Sequence, residues 1–189
     1  MAYNITVCAS GGGGNFQALM EAQKLKNFSI NLLIVDRECA AIERAIDNNI
    51  PYKLIEKKQS DPALFREMDK VIPENTNLIV SAGFFPIINE WFCSKWKGKI
   101  INTHPSLLPN YGGKGMYGVK VQEAVMAAKE DYAGCSVHFI TPIIDGGEII
   151  EQKRIRVDYN QTPWELGGRV FKEENKLLIK AITKLMNLN

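Results

Sequence analysis

Residues 5–20, ITVCASGGGGNFQALM, contain the transition that decides the fold. The first five residues are apolar or β-branched and predict a buried strand. Four successive glycines follow, and residues 15–26 then have the spacing of an amphipathic helix. A strand that passes through a glycine-rich turn directly into a helix is typical of the first unit of an α/β protein.

The same alternation continues along the first half of the chain. Short apolar runs predict further strands at residues 30–35, 52–55, 78–82 and 100–102. Longer amphipathic runs predict helices at residues 40–48, 61–71 and 88–96. Asp61 followed by Pro62 has the composition of a helix start, with an N-cap before a proline. This order predicts a mostly parallel, twisted sheet with helices on both faces, a Rossmann-like arrangement.

The pattern changes after Asn102. A glycine-rich loop occupies residues 110–118, and a helix is predicted over residues 119–129. Two strands, at 135–140 and 148–157, are predicted to pair across the turn Asp145-Gly146-Gly147. A closing helix is predicted over residues 162–186. Since no linker or repeat interrupts the 189 residues, we expect one domain spanning 1–189.

Composition excludes several classes of function. Lys and Arg total 23 against 21 Asp and Glu, without a long basic block, which argues against nucleic acid as a partner. The four cysteines lie far apart in sequence, so we expect reduced thiols and no metal site. No apolar run is long enough to cross a membrane, and no leader pattern precedes the first strand, so a cytoplasmic location is expected. Small molecules are the expected partners, and the sequence leaves monomer and homodimer open.

The glycine-rich turn, residues 10–15, is a candidate phosphate site. Successive glycines let backbone N–H groups converge at a helix N-terminus, whose dipole favours an anion. The turn has neither the Lys of a nucleoside-triphosphate loop nor the glycine spacing of a dinucleotide site. The alternative is a tight turn that binds nothing.

A second candidate site follows the predicted strand at 100–102, in the segment INTHPSLLP of residues 101–109. Asn102 and His104 are two residues apart, so in an extended chain they point to the same side. Asp145, in its glycine-flanked turn, supplies a carboxylate. An amide donor, an imidazole and a carboxylate suit acyl transfer, because the first two stabilise an oxyanion and the carboxylate orients the ring. Since no activated Ser or Cys is evident, direct attack by a substrate amine is favoured. The alternative is that His104 is structural.

Five segments together resemble the phosphoribosylglycinamide formyltransferases, folate-dependent enzymes of purine synthesis. They are SGGGGN at 10–15, AGF at 82–84, NTHPSLLP at 102–109, SVHF at 136–139 and DGGEII at 145–150. The resemblance extends over nearly the whole chain. It implies transfer of a formyl group from 10-formyltetrahydrofolate, the co-substrate, to the amine of phosphoribosylglycinamide, without a metal.

The resemblance also implies roles for particular residues. Asn102, His104 and Asp145 would be the catalytic trio, and His138 would lie behind them or in the core without acting as a second base. Glu174 would bind the sugar or amine of the substrate. The ribose phosphate would be held by Gly12, Gly13, Gly14 and Asn15. The folate would be bound by Phe85, Ile87 and Ile88 together with Ile140, Thr141 and Ile144.

Several residues depart from that family's usual pattern, namely Gly14, Pro86, Asn175 and the loop 112–118. They bear on substrate specificity more than on the chemistry. Two alternatives therefore stay open: a folate-dependent N-formyltransferase that acts on an amino sugar nucleotide, and a flavodoxin-like protein that binds phosphate without catalysis.

Overall fold

A computed structural model describes residues 3–56, 61 and 63–188. The chain divides into two compact units, Met1–Asn102 and Thr103–Asn189. Its strands follow the order β3-β2-β1-β4-β5-β6-β7 in one sheet. They are β1 Tyr3–Ala9, β2 Phe28–Val35, β3 Tyr52–Leu54, β4 Leu78–Ser81, β5 Ile100–His104, β6 Tyr132–Phe139 and β7 Ile149–Arg156.

Within the described ranges six helices alternate with these strands, except that β6 leads directly to β7. They are α1 Gly14–Gln23, α2 Ala40–Asp47, α3 Ala63–Val71, α4 Glu90–Lys95, α5 Val119–Ala127 and α6 Pro163–Met186. The predicted class, α/β with a mostly parallel sheet, is confirmed. A single domain over residues 1–189 stays a prediction.

The first unit is built on parallel pairing. Strand β1 pairs with β2 and β4, β2 pairs with β3, and β4 pairs with β5, each in parallel. Every residue of β4 is buried, as are the last five residues of β1. Strands that are buried on both sides carry continuous apolar runs, which is why sequence located them.

The second unit contains the predicted antiparallel pair. Tyr132 lies opposite Arg156, and the ladder extends to His138 opposite Ile149 after a bulge on β7. Two glycines allow the close approach of backbone around this pair. A Cβ atom at Gly134 would collide with the carbonyl oxygen of Lys153, and one at Gly147 with that of Phe139.

Helix α6 has a well-defined start and one buried face. The Thr162 hydroxyl accepts a hydrogen bond from the Glu165 N–H, while the Glu165 carboxylate accepts one from the Thr162 N–H, which is a capping box. The buried side chains recur every three or four residues, as expected for a helix packed on a sheet. They are Leu166, Val170, Glu174, Leu177, Leu178, Ala181, Ile182 and Leu185.

The predicted boundaries differ from the observed ones for local reasons. Strand β5 continues to His104 instead of ending at Asn102, so both side chains belong to one strand. Helix α4 begins at Glu90, two residues later than predicted, because the Asn89 side chain caps the N–H of Phe92. The Asp61 carboxylate accepts a hydrogen bond from the Ala63 N–H, in agreement with a helix start there. The predicted role of Pro62 lies outside the described residues.

Candidate active site

The last residue of β5, His104, is fixed by the loop that follows it. Its ring nitrogen Nε2 lies 2.9 Å from the backbone carbonyl oxygen of Tyr111. A carbonyl oxygen only accepts hydrogen bonds, so Nε2 carries a hydrogen and donates it. In the neutral ring, Nδ1 is therefore the nitrogen with a free lone pair, which makes it the atom that can exchange a proton.

That nitrogen faces a carboxylate. Asp145 Oδ2 lies 3.7 Å from His104 Nδ1 and accepts a hydrogen bond of 2.8 Å from the backbone N–H of Gly113. Asp145 has a φ of 54°, in the left-handed region, which costs a residue with a side chain about 1 kcal/mol. The turn is closed by a hydrogen bond from the Gly146 N–H to the Ile143 carbonyl. A carboxylate held in a strained turn is a feature often found at functional sites.

His138 lies on the other side of the same carboxylate. Its Nε2 is 3.7 Å from Asp145 Oδ1, and its Nδ1 donates to the carbonyl oxygen of Phe139 at 2.9 Å. Burial lowers the pKa of His138, and a cationic His104 would lower it further, although Phe139 and Asp145 act in the opposite direction. His138 is thus a neutral neighbour of the pair formed by His104 and Asp145.

Each carboxylate oxygen of Asp145 faces one imidazole ring. With both rings neutral, the Asp145 carboxylate lies between two nitrogen lone pairs, at distances longer than a hydrogen bond. A protonated His104 ring would direct its Nδ1 hydrogen towards Oδ2 across 3.7 Å. Such a group can stabilise a developing oxyanion and later release its proton, as acyl transfer requires.

Asn102 completes the candidate site in the strand itself. It lies on β5 two residues before His104, so the two side chains leave the strand on the same side. Asn102 is half-buried, whereas His104 is buried. Both residues belong to β5, and their joint role in catalysis stays a prediction.

In the first unit, the glycine-rich turn forms the start of α1. Gly13 is the N-cap residue with a φ of 67°, and a Cβ atom there would lie 3.0 Å from that of Ala41. The first hydrogen bond of the helix runs from the Gln17 N–H to the Gly13 carbonyl, so the helix does not use the N–H groups before it. Gly14 is the first helical residue. The first turn contains no acidic side chain that would oppose an anion.

Two side chains secure this turn. Arg44 donates from Nε to the Gly12 carbonyl at 2.8 Å and from a terminal nitrogen to the Gln17 side chain at 3.1 Å. The Ser10 hydroxyl accepts a hydrogen bond of 2.8 Å from the Phe85 N–H. The turn is therefore rigid, and it has a guanidinium group beside it. Sequence reasoning did not identify Arg44, because nothing in the spacing links residue 44 to residue 12.

The three predicted folate residues of the first unit differ in accessibility. Phe85 and Ile87 are 54% and 59% exposed, and the Arg37 guanidinium lies 5.2 Å from the Phe85 ring centre. Ile88 is only 9% exposed. Phe85 and Ile87 therefore offer apolar surface for a flat ring, while Ile88 belongs mainly to the core.

The predicted folate segment of the second unit lies between β6 and Asp145. Ile140 and Thr141 are half-buried, and Ile144 is exposed. The Thr141 hydroxyl exchanges hydrogen bonds with the backbone of Ile143, which holds the segment in a turn. Like Phe85 and Ile87, Ile144 presents apolar surface to solvent.

Glu174 has an unusual setting for a carboxylate. It lies in α6 and is buried. Burial, with the negative charges of Glu174 and Glu173, raises the pKa of the Cys135 thiol to about 12. Cys135 is thus an inert core thiol, as expected. Asn175, one of the departures from the family's pattern, has a buried amide oxygen that finds no hydrogen-bond donor in the described part of the chain.

Two positions important to the site were missed from sequence. The carbonyl of Tyr111 sets the tautomer of His104, and the N–H of Gly113 binds Asp145. Tyr111 is itself anchored, because its phenol donates to Glu130 Oε1 at 2.8 Å. Backbone groups leave no signature in side-chain patterns, although the glycines at 112 and 113 marked a loop with special geometry.

Residues 3–56, 61 and 63–188 show neither a metal-site cluster nor a membrane-spanning helix. In these ranges no cluster of three or more His, Cys, Asp or Glu side chains has the geometry of a metal site. Within the same ranges, none of the helices has both the length and the apolar character needed to span a bilayer.

Comparisons with known proteins agree with the motifs. The sequence profile of the family described as formyl transferase matches residues 3–182. A phosphoribosylglycinamide formyltransferase from Bacillus subtilis is 34% identical, over 97% of this chain and 94% of its own length. The chloroplastic phosphoribosylglycinamide formyltransferase of Arabidopsis thaliana is 33% identical over 94% of this chain, which spans 63% of that relative's length.

A solved structure gives the same result for the fold. The crystal structure of phosphoribosylglycinamide formyltransferase from Anaplasma phagocytophilum superimposes with a TM-score of 0.87 at 30% identity, covering 97% of this chain and 86% of that one. Family profile, sequence relatives and fold thus all agree with the resemblance carried by the five motifs. The chain belongs to the formyl transferase family.

Proposed function

We propose that this protein transfers the formyl group of 10-formyltetrahydrofolate to the amine of phosphoribosylglycinamide. The products are formylglycinamide ribonucleotide and tetrahydrofolate, and the reaction is a step of purine synthesis. The main support is the geometry of His104, whose tautomer is fixed by Tyr111 and whose Nδ1 faces Asp145 at 3.7 Å. Membership of the formyl transferase family supports the same reaction.

In this mechanism the substrate amine attacks the formyl carbon directly. The carbonyl oxygen becomes an oxyanion, to which the Asn102 amide and protonated His104 donate hydrogen bonds. The attacking nitrogen then loses a proton to the Asp145 carboxylate, directly or through a water molecule. Collapse of the intermediate breaks the bond from the formyl carbon to the folate nitrogen, which takes up a proton from His104. The proton held by Asp145 then restores the cationic ring.

The remaining binding roles form part of the same proposal. The N–H groups at the start of α1, from Gly12 to Asn15, hold the ribose phosphate, and Arg44 adds positive charge beside them. Glu174 binds the sugar or amine of the substrate. The folate contacts the exposed apolar side chains at Phe85 and Ile87, with Ile88 behind them, and the turn from Ile140 through Thr141 to Ile144.

We further propose that residues 1–189 act as one domain in the cytoplasm. The expected partners are the two small-molecule substrates, and the expected assembly is a monomer or homodimer. The balanced composition of 23 cationic and 21 anionic side chains supports the absence of nucleic acid among the substrates.

The decisive experiment incubates the purified protein with 10-formyltetrahydrofolate and glycinamide ribonucleotide and follows tetrahydrofolate release by absorbance. Formylated ribonucleotide is identified by mass spectrometry. The His104→Ala protein serves as the control for the trio. We expect turnover with the wild-type protein and a loss of about a hundredfold or more in the variant.

Other outcomes would replace the proposal. Formylation of an amino sugar nucleotide, without formylation of glycinamide ribonucleotide, would assign the other N-formyltransferase activity. Release of formate from the folate, without an acceptor, would indicate hydrolysis. Binding of the ribonucleotide without any turnover would indicate a phosphate-binding protein without catalysis.

A further inference from the structure

A basic cleft of about 600 Å³ runs along the second unit, between β7 and the first half of α6. We define it by its six cationic side chains. They are Lys153, Arg154, Arg156, Arg169, Lys172 and Lys176. Strand β7 and helix α6 contribute three each.

This concentration of charge is large for the chain. The whole sequence contains 23 Lys and Arg and 21 Asp and Glu. The basic cleft holds six of the cations and a single carboxylate, Glu173. The remainder therefore has 17 cations and 20 carboxylates, a net charge of −3. All of the net positive charge of the protein is located in the basic cleft.

Contacts within the protein neutralise only part of the positive charge of the basic cleft. Glu173 pairs with Lys176 at 2.6 Å, and this contact, helped by Lys153, lowers the pKa of Glu173. Among the described residues, no carboxylate lies within ion-pair distance of Arg156 or Lys172. Like charges brought together without counterions repel one another, so an anionic ligand would stabilise the folded protein.

Part of the basic cleft is rigid. Arg169 donates to the Gln161 side chain at 2.9 Å and to the Arg156 carbonyl at 3.1 Å, which joins the helix to the strand. The Arg154 guanidinium lies 5.0 Å from the ring centre of Tyr132. Preorganised guanidinium groups bind phosphate oxygens in pairs at a low entropic cost.

Protection of the sheet edge is the simplest alternative explanation. Strand β7 ends the sheet, and charged side chains on an edge strand prevent pairing with other chains. That role accounts for Lys153, Arg154 and Arg156. It does not account for the three cations that α6 directs to the same cleft, since a helix has no edge to protect.

We propose that the basic cleft binds a compact polyphosphate anion, either inorganic or at the end of a nucleoside triphosphate. Its volume is in the range of small-molecule sites. The net negative charge of the rest of the protein opposes a long polyanion that would extend beyond the cleft, which disfavours nucleic acid.

The basic cleft is separate from the candidate active site. Arg156 lies opposite Tyr132, and Ile149 lies opposite His138. The nearest cleft residue on β7, Lys153, lies opposite Cys135, which is three positions along β6 from His138, or about 10 Å at the usual rise of a strand. A ligand in the basic cleft would not compete with the formyl acceptor for His104.

Isothermal titration at about 50 and 150 mM salt with inorganic tripolyphosphate and with ATP tests the proposal. Orthophosphate and a single-stranded DNA of about 20 nucleotides serve as comparison ligands. The test variant is Arg156→Ala with Lys172→Ala, both exposed side chains. The control variant, Lys26→Ala with Lys97→Ala, removes the same charge from exposed sites of the first unit. Melting temperatures check that each variant folds.

We expect tripolyphosphate and ATP to bind one site per chain, more tightly than orthophosphate, and the cleft variant to weaken both at least about tenfold. The control variant should retain wild-type affinity. Binding should also survive Gly14→Val, which alters the separate turn at α1. Equal binding by the cleft and control variants, loss of binding in Gly14→Val alone, or tighter binding of DNA than of tripolyphosphate would each overturn the proposal. So would the absence of binding.

Discussion

At the scale of single residues, the candidate site depends on which nitrogen of His104 holds a hydrogen. The Tyr111 carbonyl fixes that hydrogen on Nε2, and the opposite nitrogen faces Asp145. The sequence named His104 and Asp145 from two recognisable patterns, the end of a buried strand and a glycine-flanked turn, and the structure brings the two side chains within 3.7 Å of each other. It did not locate Tyr111 or Gly113, since their contributions come from the backbone.

Replacement of Asp145 by Asn should lower turnover by about a hundredfold or more. Asn has the same size and still accepts the hydrogen bond from Gly113, but it carries no charge to stabilise a protonated His104. Turnover and melting temperature are measured together. The control is Glu148→Gln, an exposed carboxylate in the same connection, which should behave like the wild type. Near-normal turnover in a folded Asp145→Asn protein would remove Asp145 from the mechanism.

Replacement of Tyr111 by Phe tests how firmly His104 is held. The change deletes the 2.8 Å hydrogen bond to Glu130 but keeps the carbonyl that binds His104. A buried hydrogen bond contributes about 1 kcal/mol, so we expect kcat to fall about fivefold with KM unchanged.

Tyr159→Phe provides a matched control for this measurement. Its phenol donates to the backbone carbonyl of the same Glu130, also at 2.8 Å, but Tyr159 has no hydrogen bond to His104. A similar loss of kcat in both variants would mean that Glu130 matters only for local packing. An unchanged kcat in Tyr111→Phe would show that the loop holds His104 without the phenol.

At the scale of elements, two short segments of the first unit determine the proposed substrate contacts. One is the start of α1, and the other is the irregular segment between β4 and α4 that contains Phe85 and Ile87. Sequence located the first through its glycines. The loop with Phe85 and Ile87 was identified only by resemblance to the formyltransferase family, because exposed apolar residues in a loop show no helix or strand periodicity.

Gly14 is the first residue of α1 and has helical backbone, which a residue with a side chain adopts without strain. Gly14→Ser should therefore keep or tighten binding of glycinamide ribonucleotide, because the hydroxyl adds a donor to the phosphate. Gly14→Val should weaken binding at least about tenfold, since a branched side chain would crowd the helix start. Calorimetry with the ribonucleotide and with its dephosphorylated riboside distinguishes the two effects. Unchanged affinity in Gly14→Val would show that the turn binds no phosphate.

Ile87→Asp should weaken binding of 10-formyltetrahydrofolate at least about tenfold and leave the melting temperature unchanged. The reason is that Ile87 is 59% exposed, so the charge replaces apolar surface proposed to contact the folate. Ile88→Asp should instead lower the melting temperature, because it places a charge in the core.

Leu25→Asp, at another exposed apolar side chain of the first unit, is the control and should leave folate affinity unchanged. Affinities for the folate and for glycinamide ribonucleotide are compared in the same proteins. If Ile87→Asp weakens both ligands equally, the folate pocket has been placed wrongly.

At the scale of the whole molecule, the sequence was sufficient to predict the fold class but not the detailed geometry of the candidate site. Buried parallel strands such as β4 are continuous apolar runs, so their order predicted a mostly parallel sheet. The contact between His138 and Asp145 depends on the bulge in β7 and on the turn at Asp145, which sequence periodicity does not encode. The basic cleft was not evident from sequence either, because its cations are spread over residues 153–176.

Acid should destabilise the protein through His138. Burial lowers the pKa of His138 in the folded state below its unfolded value of about 6.5, so the unfolded state binds more protons as the pH falls through that range. Stability is therefore complete above about pH 6.5 and decreases below it, by at most about 1.4 kcal/mol per pH unit. Urea unfolding at pH 7.5 and 5.5 gives the difference.

His138→Asn should reduce that difference, since Asn does not titrate. The chain contains two histidines, so His104→Asn is the natural comparison. If the acid sensitivity of His138→Asn equals that of the wild type, another group controls it.

The steric collisions that any side chain would make at Gly134 and Gly147 limit how the sequence of this protein can change during evolution. A saturation library would retain only glycine at these two positions, because any side chain meets a backbone carbonyl there. Gly168, within α6, has no atom near the position of a Cβ, so alanine should be accepted and even enriched, as it favours the helix by about 1 kcal/mol. The distance to neighbouring backbone atoms therefore decides which glycines tolerate substitution. The β6–β7 hairpin should accordingly change in sequence more slowly than the rest of the second unit.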